Sequence, residues 1–163
     1  MSKSVFEDNL SYPRDKELIK YDGPESFRIY GAISNLFKDI FELAGKDVFE
    51  EKLKWDALTD DKGFNVKWHI EKKFDSWTNM YVVVVILGKQ NSKTRNGNIT
   101  ITIIPTFKTE VEMGFFQKAF WWIYYFIYYK KKRIEHFYRA KSLVNKFKQE
   151  IGNLYGMDLQ ESI

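Results

Sequence analysis

The chain of 163 residues has a mass of 19.5 kDa, which is the size of a single domain. Apolar residues make up 44% of it and charged residues 29%, so a wholly disordered chain and a multi-span membrane protein are both excluded. The absence of cysteine excludes disulfides, thiolate metal sites and cysteine nucleophiles.

Aromatic residues and positive charge are the two unusual features of the composition. Phe, Tyr and Trp together reach 18% of the chain, and the net charge is +4. Residues 113–163 contain nine of the 26 Lys and Arg residues but only four of the 22 Asp and Glu residues. This asymmetry favours an anionic partner for the C-terminal third, such as a phospholipid headgroup or nucleic acid. A solvated helix face explains the basic run Lys130–Arg133 equally well.

The first third of the chain predicts a tail, a short strand and a helix. Residues 1–15 are polar and contain Pro13, which predicts a flexible N-terminal tail, and residues 16–21 are compatible with an edge strand. Pro24 suits the first position of a helix, and apolar residues then recur at helical spacing as far as Ala44. Gly45 suits a left-handed C-terminal cap. We therefore predict a helix over residues 24–44.

The middle of the chain alternates with a period of two and predicts strands at 49–57, 64–74, 77–87 and 98–109. Their connections are short, so they should form an antiparallel meander of four to five strands, counting the edge strand. The run Val82–Ile86 is apolar on both faces, which indicates a central strand that is covered twice or has a functional second face. Pro105 cannot donate to a ladder and indicates an edge or a bulge.

The C-terminal segment contains no Pro or Gly between Phe115 and Ile151, which predicts one helix over residues 115–154. Forty helical residues span roughly 60 Å, whereas a compact chain of this size has a radius of gyration of about 15 Å. The helix should therefore overhang the sheet, break, or pack on something outside the domain. The predicted fold is α+β, with a single domain over residues 16–156 and a C-terminal tail over 157–163. The stripe predicted to face its core begins with Phe116, Phe120, Ile123, Phe126 and Ile127.

This order of elements resembles the helix-grip arrangement of the START-related lipid-transfer superfamily. The sequence is also similar to short uncharacterised archaeal proteins that share Trp55-Asp56 after the first helix and Lys72-Lys73-Phe74-Asp75 before the third strand. The resemblance covers residues 20–155 in element order, with fewer strands and a longer C-terminal helix than the superfamily usually has. It implies two helices that grip an antiparallel sheet and an apolar ligand cavity, and it brings no catalytic motif.

Catalytic and metal-binding residues are poorly represented in this chain. The two histidines, His69 and His136, have no neighbours at metal-ligand spacing, and there is no glycine-rich phosphate loop or nucleophile elbow. Glu110 and Glu112 could pair as carboxylates, but a solvated strand end explains them better. The sequence therefore predicts a protein that is not an enzyme and that needs no metal or other cofactor.

A second set of aromatic residues lies around the rest of the circumference of the C-terminal helix. Trp and Tyr combine an apolar body with a polar tip, which suits the boundary between hydrocarbon and headgroups, and a basic run follows within one helical turn. The candidate site for a membrane or another partner consists of Trp121, Trp122, Tyr125, Tyr128, Tyr129, Lys130, Lys131, Lys132 and Arg133.

Four interpretations of this surface remain open. The leading hypothesis is non-enzymatic, peripheral binding to an anionic membrane surface or a hydrophobic ligand. The alternative is a homodimer or scaffold contact through the same aromatics. A nucleic-acid platform is disfavoured, because aromatics and cations are segregated along the helix. Burial of every aromatic within one domain would remove the site altogether.

The expected location is cytoplasmic, with peripheral attachment to the inner face of the membrane. Residues Met1–Leu10 contain no apolar core of signal-peptide length. The longest uninterrupted apolar run, Ala119–Tyr129, is far shorter than the roughly 20 residues that a spanning helix needs.

Overall fold

The computed structural model describes residues 2–56, 58–114 and 116–159. The chain forms six strands and three α-helices, and an α+β fold is confirmed. In chain order the elements are β1 (Ser2–Asn9), β2 (Glu17–Pro24), α1 (Arg28–Phe41), β3 (Val48–Asp56), β4 (Asp61–Lys73), β5 (Thr78–Asn91), β6 (Asn96–Met113), α2 (Gln117–Tyr124) and α3 (Lys130–Leu154). A π-turn at Tyr125–Tyr129 joins α2 and α3 into one rod, called the C-terminal helix below.

All six strands belong to one antiparallel sheet. Strands β3, β4, β5 and β6 form the predicted meander, and β1 and β2 both pair with the free edge of β6. Strand β2 pairs with residues 96–103 and β1 with residues 106–113, and the Leu10 N–H donates to the Pro105 carbonyl between them. The predicted count of four to five strands is therefore one strand too low.

The N-terminal tail predicted over residues 1–15 is wrong for residues 2–9, which form β1. Met1 lies outside the described residues. The structure holds this segment because β6 is long enough to pair with two strands in succession. At the other terminus, the Met157 N–H donates to the Gly152 carbonyl and Leu159 packs on the core, so residues 157–159 are held by the domain. The rest of the predicted tail, residues 160–163, lies outside the described residues, as do Ala57 and Phe115.

The alternating apolar residues of β4, β5 and β6 point to one face of the sheet, as their period of two predicts. Helix α1 and the second half of α3 cover that face. The Phe37 ring on α1 lies 5.3 Å from Phe147 on α3 and 5.7 Å from Trp68 on β4. Buried rings therefore pack between the two helices and the sheet, and the architecture is consistent with a helix-grip-like arrangement.

Helix α1 is shorter at both ends than the predicted 24–44. Pro24 still belongs to β2 and pairs with Asn96, so the chain turns before it can begin a helix at Arg28. At the other end Glu42 adopts a left-handed backbone (φ 55°), and its N–H donates to the Lys38 carbonyl. Glu42 therefore ends the helix where the sequence favoured Gly45.

The second face of the sheet has no helix packed on it within the described residues. Val83 and Val85 are half-buried there and Leu87 is exposed. The expectation that Val82–Ile86 is covered on both faces is wrong. Threonines opposite these side chains on β6, Thr100 and Thr102, keep this face partly polar.

The long C-terminal helix fits because β6 is equally long. Eighteen strand residues extend roughly 60 Å, and residues 117–154 extend roughly 57 Å as helix. The helix runs back along β6: Phe137 contacts Phe107, while Tyr155 contacts Tyr21, which pairs with Ile99. The expectation that the helix overhangs the sheet or breaks is wrong, because a strand of this length makes the domain elongated. Contact of the helix with something outside the domain stays a prediction.

Candidate functional site

The aromatic residues predicted to face a partner mostly face the protein itself. Trp121 is only 7% exposed and Tyr129 is 1% exposed, and Trp122 and Tyr125 are half-buried. Tyr128, at 61%, is the one exposed member of this set of five. The prediction of a binding role is therefore wrong for Trp121 and Tyr129.

Strand β1 and the β4–β5 turn provide the cover for these rings. Trp77, in the turn, makes edge contacts with Trp121 at 4.9 Å and with Tyr129 at 5.1 Å between ring centroids. Phe6, on β1, stacks on Tyr125 at 5.2 Å. These rings form a second apolar cluster, which the sequence did not predict. The alternation of apolar and polar residues in 2–9 is weak, and Phe6 is the only large inward side chain described there.

A polar network centred on Asp75 holds this part of the helix on the sheet. The Asp75 carboxylate accepts hydrogen bonds from the Trp77 N–H at 2.8 Å, the Thr78 N–H at 2.9 Å and the Tyr129 hydroxyl at 2.9 Å. His136 Nε2 lies 3.1 Å from the same carboxylate. Asp75 therefore joins the β4–β5 turn to both the π-turn and α3.

The same contacts change the acidity of two members of the network. Burial acts to raise the pKa of Asp75, but the hydrogen bonds from Trp77, Tyr129 and Thr78 and the charge of His136 outweigh it and hold that pKa below its usual value. Burial, aided by the nearby Asp75 carboxylate, raises the pKa of Tyr129. Tyr129 thus remains a neutral donor and Asp75 an ionised acceptor at neutral pH.

Arg133 is also a structural residue, contrary to its predicted role at a membrane. Its side chain is 13% exposed and pairs with Asp8 at 2.5 Å, and its Nε donates to Thr109 at 2.8 Å. The guanidinium lies over the rings of Phe6 and Phe107. Arg133 therefore ties the helix to β1 and β6 and has little surface left for a partner.

The opposite face of α2 and the π-turn exposes a row of large apolar side chains, called the outer stripe below. Phe120 is 75% exposed and Ile127 is 80% exposed. The row was predicted to face the core, and that prediction is wrong. The outer stripe consists of Phe116, Phe120, Ile123, Phe126 and Ile127.

Exposed lysines flank the outer stripe in a stretch of the sequence that has no acidic residue before Glu135. Residues 114–134 contain no Asp or Glu. Lys118 and Lys130–Lys132 are exposed and form no ion pair within the part of the chain that the structure describes. Lys131 and Lys132, together with Ile127, Tyr128 and Glu135, line an open groove of about 470 Å³. Apolar and cationic groups therefore meet on one side of the helix.

The other titratable residues singled out from the sequence form local ion pairs. His69 contacts Glu51 on the uncovered face of the sheet. Glu110 pairs with Lys3 at 2.6 Å and with Lys108 at 2.9 Å, and not with Glu112. Among the described residues, no group of three or more His, Asp or Glu side chains could hold a metal ion.

No helix within residues 2–56, 58–114 and 116–159 is both long enough and apolar enough to cross a bilayer.

No protein-family model and no curated protein matches this chain. Among solved structures, the chain is similar to an uncharacterised protein from Rhizobium leguminosarum, at 10% sequence identity over 90% of this chain and 99% of that chain, with a TM-score of 0.20. A TM-score of this size carries no argument about fold or function.

Proposed function

We propose that this protein is a non-enzymatic, peripheral membrane-binding protein that docks on the anionic cytoplasmic face of a membrane through the outer stripe. The observation that carries the proposal is the position of the outer stripe, which exposes five large apolar side chains beside four lysines that form no ion pair within the described residues. An exposed apolar patch of this size is uncommon on monomeric soluble proteins and marks contact sites.

The chemistry of the two groups suits the two layers of a membrane surface. Phe and Ile side chains partition into the boundary between headgroups and acyl chains, as in amphipathic helices that lie in the interface. Each lysine near an anionic leaflet contributes about 1 kcal/mol to binding. Their stems can cover apolar surface while the ammonium groups reach the phosphates.

The opposite face of the helix holds the outer stripe in place before any partner arrives. Tyr129, Arg133 and His136 all bond to the sheet or to its turns, and Trp121 is buried on Trp77. A surface that is already ordered loses little conformational entropy on binding. This rigidity distinguishes the chain from peptides that become helical only at the membrane.

Vesicle co-sedimentation tests the proposal. Wild-type protein should pellet with vesicles that contain phosphatidylserine, more weakly with pure phosphatidylcholine, and less at high salt. Phe120→Ser/Ile127→Ser should lose most of the binding. The matched control is Leu18→Ser/Leu87→Ser, which removes two exposed apolar side chains from the uncovered face of the sheet and should bind as wild type does.

Two outcomes would contradict the proposal. The first is failure of the wild-type protein to pellet with either vesicle at low salt. The second is a concentration-dependent dimer in analytical ultracentrifugation that Phe120→Ser/Ile127→Ser abolishes while vesicle binding is absent. That second result would assign the outer stripe to a second copy of the chain.

A further inference from the structure

At the opposite end of β6 from the outer stripe, a cleft of about 500 Å³ lies between the start of α1, strand β3 and the β5–β6 hairpin. Its volume is within the range of small-molecule sites. The cleft shares no residue with the outer stripe, and its function is independent of membrane binding.

Aromatic side chains form one side of the cleft. Trp55, on β3, is 45% exposed although it points toward the helix-covered face of the sheet. Its ring meets Phe27 edge-on at 4.7 Å between centroids, and Phe27 in turn stacks on Tyr30 at 5.0 Å. The exposed Trp55 ring provides a surface on which a planar ligand ring can stack.

Cations surround the aromatic side of the cleft. Arg28, Lys62 and Arg95 line it, against the single carboxylate of Glu25. Glu25 is already occupied by Arg95, with contacts of 2.9 and 3.0 Å, and this hydrogen-bonded pair lowers the pKa of Glu25. Within the described residues, Arg28 and Lys62 form no ion pair. The cleft therefore holds an excess of positive charge that an anionic group can neutralise.

Hydrogen bonds between distant segments fix the base of the cleft. The Glu25 N–H donates to the Arg95 carbonyl at 2.8 Å, and both residues have left-handed backbones, with φ of 56° and 63°. The buried Ser26 hydroxyl donates to the Lys89 carbonyl at 2.8 Å. Left-handed backbones at residues other than glycine are strained and persist where the surroundings enforce them. The arrangement is therefore preformed.

The backbone at the start of α1 does not compete for the anion. The Phe27 N–H donates to Gln90 Oε1 at 2.8 Å, and the Ile29 N–H donates to the Tyr155 hydroxyl at 3.1 Å. Recognition of an anion must therefore come from side chains. Arg28 and Lys62 line the cleft and form no ion pair within the described residues, although the Arg28 charge also helps to lower the pKa of Glu25.

We infer that this cleft binds a nucleoside monophosphate, with the base stacked on Trp55 and the phosphate held by Arg28 and Lys62. A bare phosphate would leave the aromatic surface unused, and an uncharged aromatic ligand would leave the cations unneutralised. Stacking on an aromatic side chain contributes to the affinity for any nucleobase, because every base has a π face.

Isothermal titration calorimetry with AMP, adenosine and inorganic phosphate tests this inference on the full chain. AMP should bind at least tenfold more tightly than either adenosine or phosphate. Arg28→Gln/Lys62→Gln should weaken AMP binding about tenfold, as expected for lost charge-assisted hydrogen bonds, and Trp55→Ala should weaken it to a similar extent. The matched control is Lys54→Gln, which removes a cation one residue from Trp55 on the other face of the sheet.

Several outcomes would overturn the inference. The inference is wrong if AMP gives no heat of binding up to millimolar concentration, or if AMP and phosphate bind with equal affinity. Equal loss in Lys54→Gln and in Arg28→Gln/Lys62→Gln would place any bound AMP elsewhere on the surface. Because Trp55 also packs on Phe64, circular dichroism of Trp55→Ala should accompany the titration. Should that variant unfold, the double charge variant decides the question alone, since Arg28 is exposed, Lys62 is half-buried and neither forms an ion pair within the described residues.

Discussion

The hydroxyl of Tyr129, in the π-turn, donates a hydrogen bond to the Asp75 carboxylate 2.9 Å away in the β4–β5 turn. The Thr78 hydroxyl, on β5, also contacts the Tyr129 hydroxyl and lies 2.8 Å from the Thr109 hydroxyl on β6. One tyrosine thus links the centre of the C-terminal helix to two strands. The link fixes which side of the helix is buried and therefore which side presents the outer stripe.

Removal of the Tyr129 hydroxyl should destabilise the fold. Tyr129→Phe leaves Asp75 and Thr78 short of a partner in a buried site, and we expect a loss of about 1–3 kcal/mol in the free energy of unfolding. Urea denaturation followed by circular dichroism measures it. Tyr128→Phe is the matched control, because Tyr128 is exposed and makes no hydrogen bond among the described residues. Equal stabilities of the two variants would contradict the network.

Asp75 should also make the free energy of unfolding depend on pH. Its folded pKa is lower than its unfolded pKa, which is about 3.9 for a free Asp side chain. The stability that ionised Asp75 contributes is therefore complete above about pH 4–5 and is lost as the pH falls through the folded pKa. Asp75→Asn should be less stable than wild type at pH 7, with the difference shrinking below pH 4. Parallel curves of unfolding free energy against pH for the two proteins would show that Asp75 is not the titrating group.

The sequence predicted the strands well because their period of two is clear. Residues 64–73 and 98–109 lie in β4 and β6, one residue short of the predicted 64–74, and their inward side chains are the ones that alternation selects. Strand β1 escaped prediction because Phe6 is its only large inward side chain described. Its burial depends on Trp122 and Tyr125, which lie more than 100 residues later. Local patterning carries no information about a partner so distant.

The predicted stripe is buried in α3, at Ala140, Val144, Phe147 and Ile151, but the face predicted for α2 is wrong because of the π-turn. The Lys130 N–H donates to the Tyr125 carbonyl five residues earlier, which adds one residue to the turn. At 3.6 residues per turn, one added residue rotates α2 by roughly 100° relative to α3. A stripe continued back from Phe137 and Val144 at regular spacing therefore selects Ile123 and Phe126, which are exposed, and misses Trp121. A segment that is apolar all round gives no signal to correct the phase.

Two glycines should respond oppositely to substitution by alanine. A Cβ at Gly97 would lie 1.8 Å from the Lys89 carbonyl oxygen on β5 and 2.6 Å from Ser26 Oγ in the turn before α1. Gly97→Ala must therefore separate the two strands of the β5–β6 hairpin and push the hairpin away from that turn. A Cβ at Gly31, in α1, would meet nothing within 4 Å. We expect Gly31→Ala to gain about 0.5–1 kcal/mol from helix propensity. Thermal melts compare the two, and a stabilised Gly97→Ala would show that the hairpin is looser than described.

Within the basic run Lys130–Arg133, the three lysines should act in vesicle binding and Arg133 in fold stability. The lysines are exposed, whereas Arg133 is held by Asp8 and Thr109. Changing the three lysines to Gln should weaken binding to phosphatidylserine vesicles by about 1 kcal/mol per charge and flatten its salt dependence, without altering the thermal midpoint.

Arg133→Gln should do the reverse. It removes a partly buried ion pair and two cation–π contacts, so the unfolding free energy should fall by about 1–3 kcal/mol. At a temperature where the variant remains folded, vesicle binding should stay near the wild-type value. Loss of vesicle binding in folded Arg133→Gln would mean that the guanidinium leaves Asp8 to reach the lipid, because no other described contact connects it to that surface.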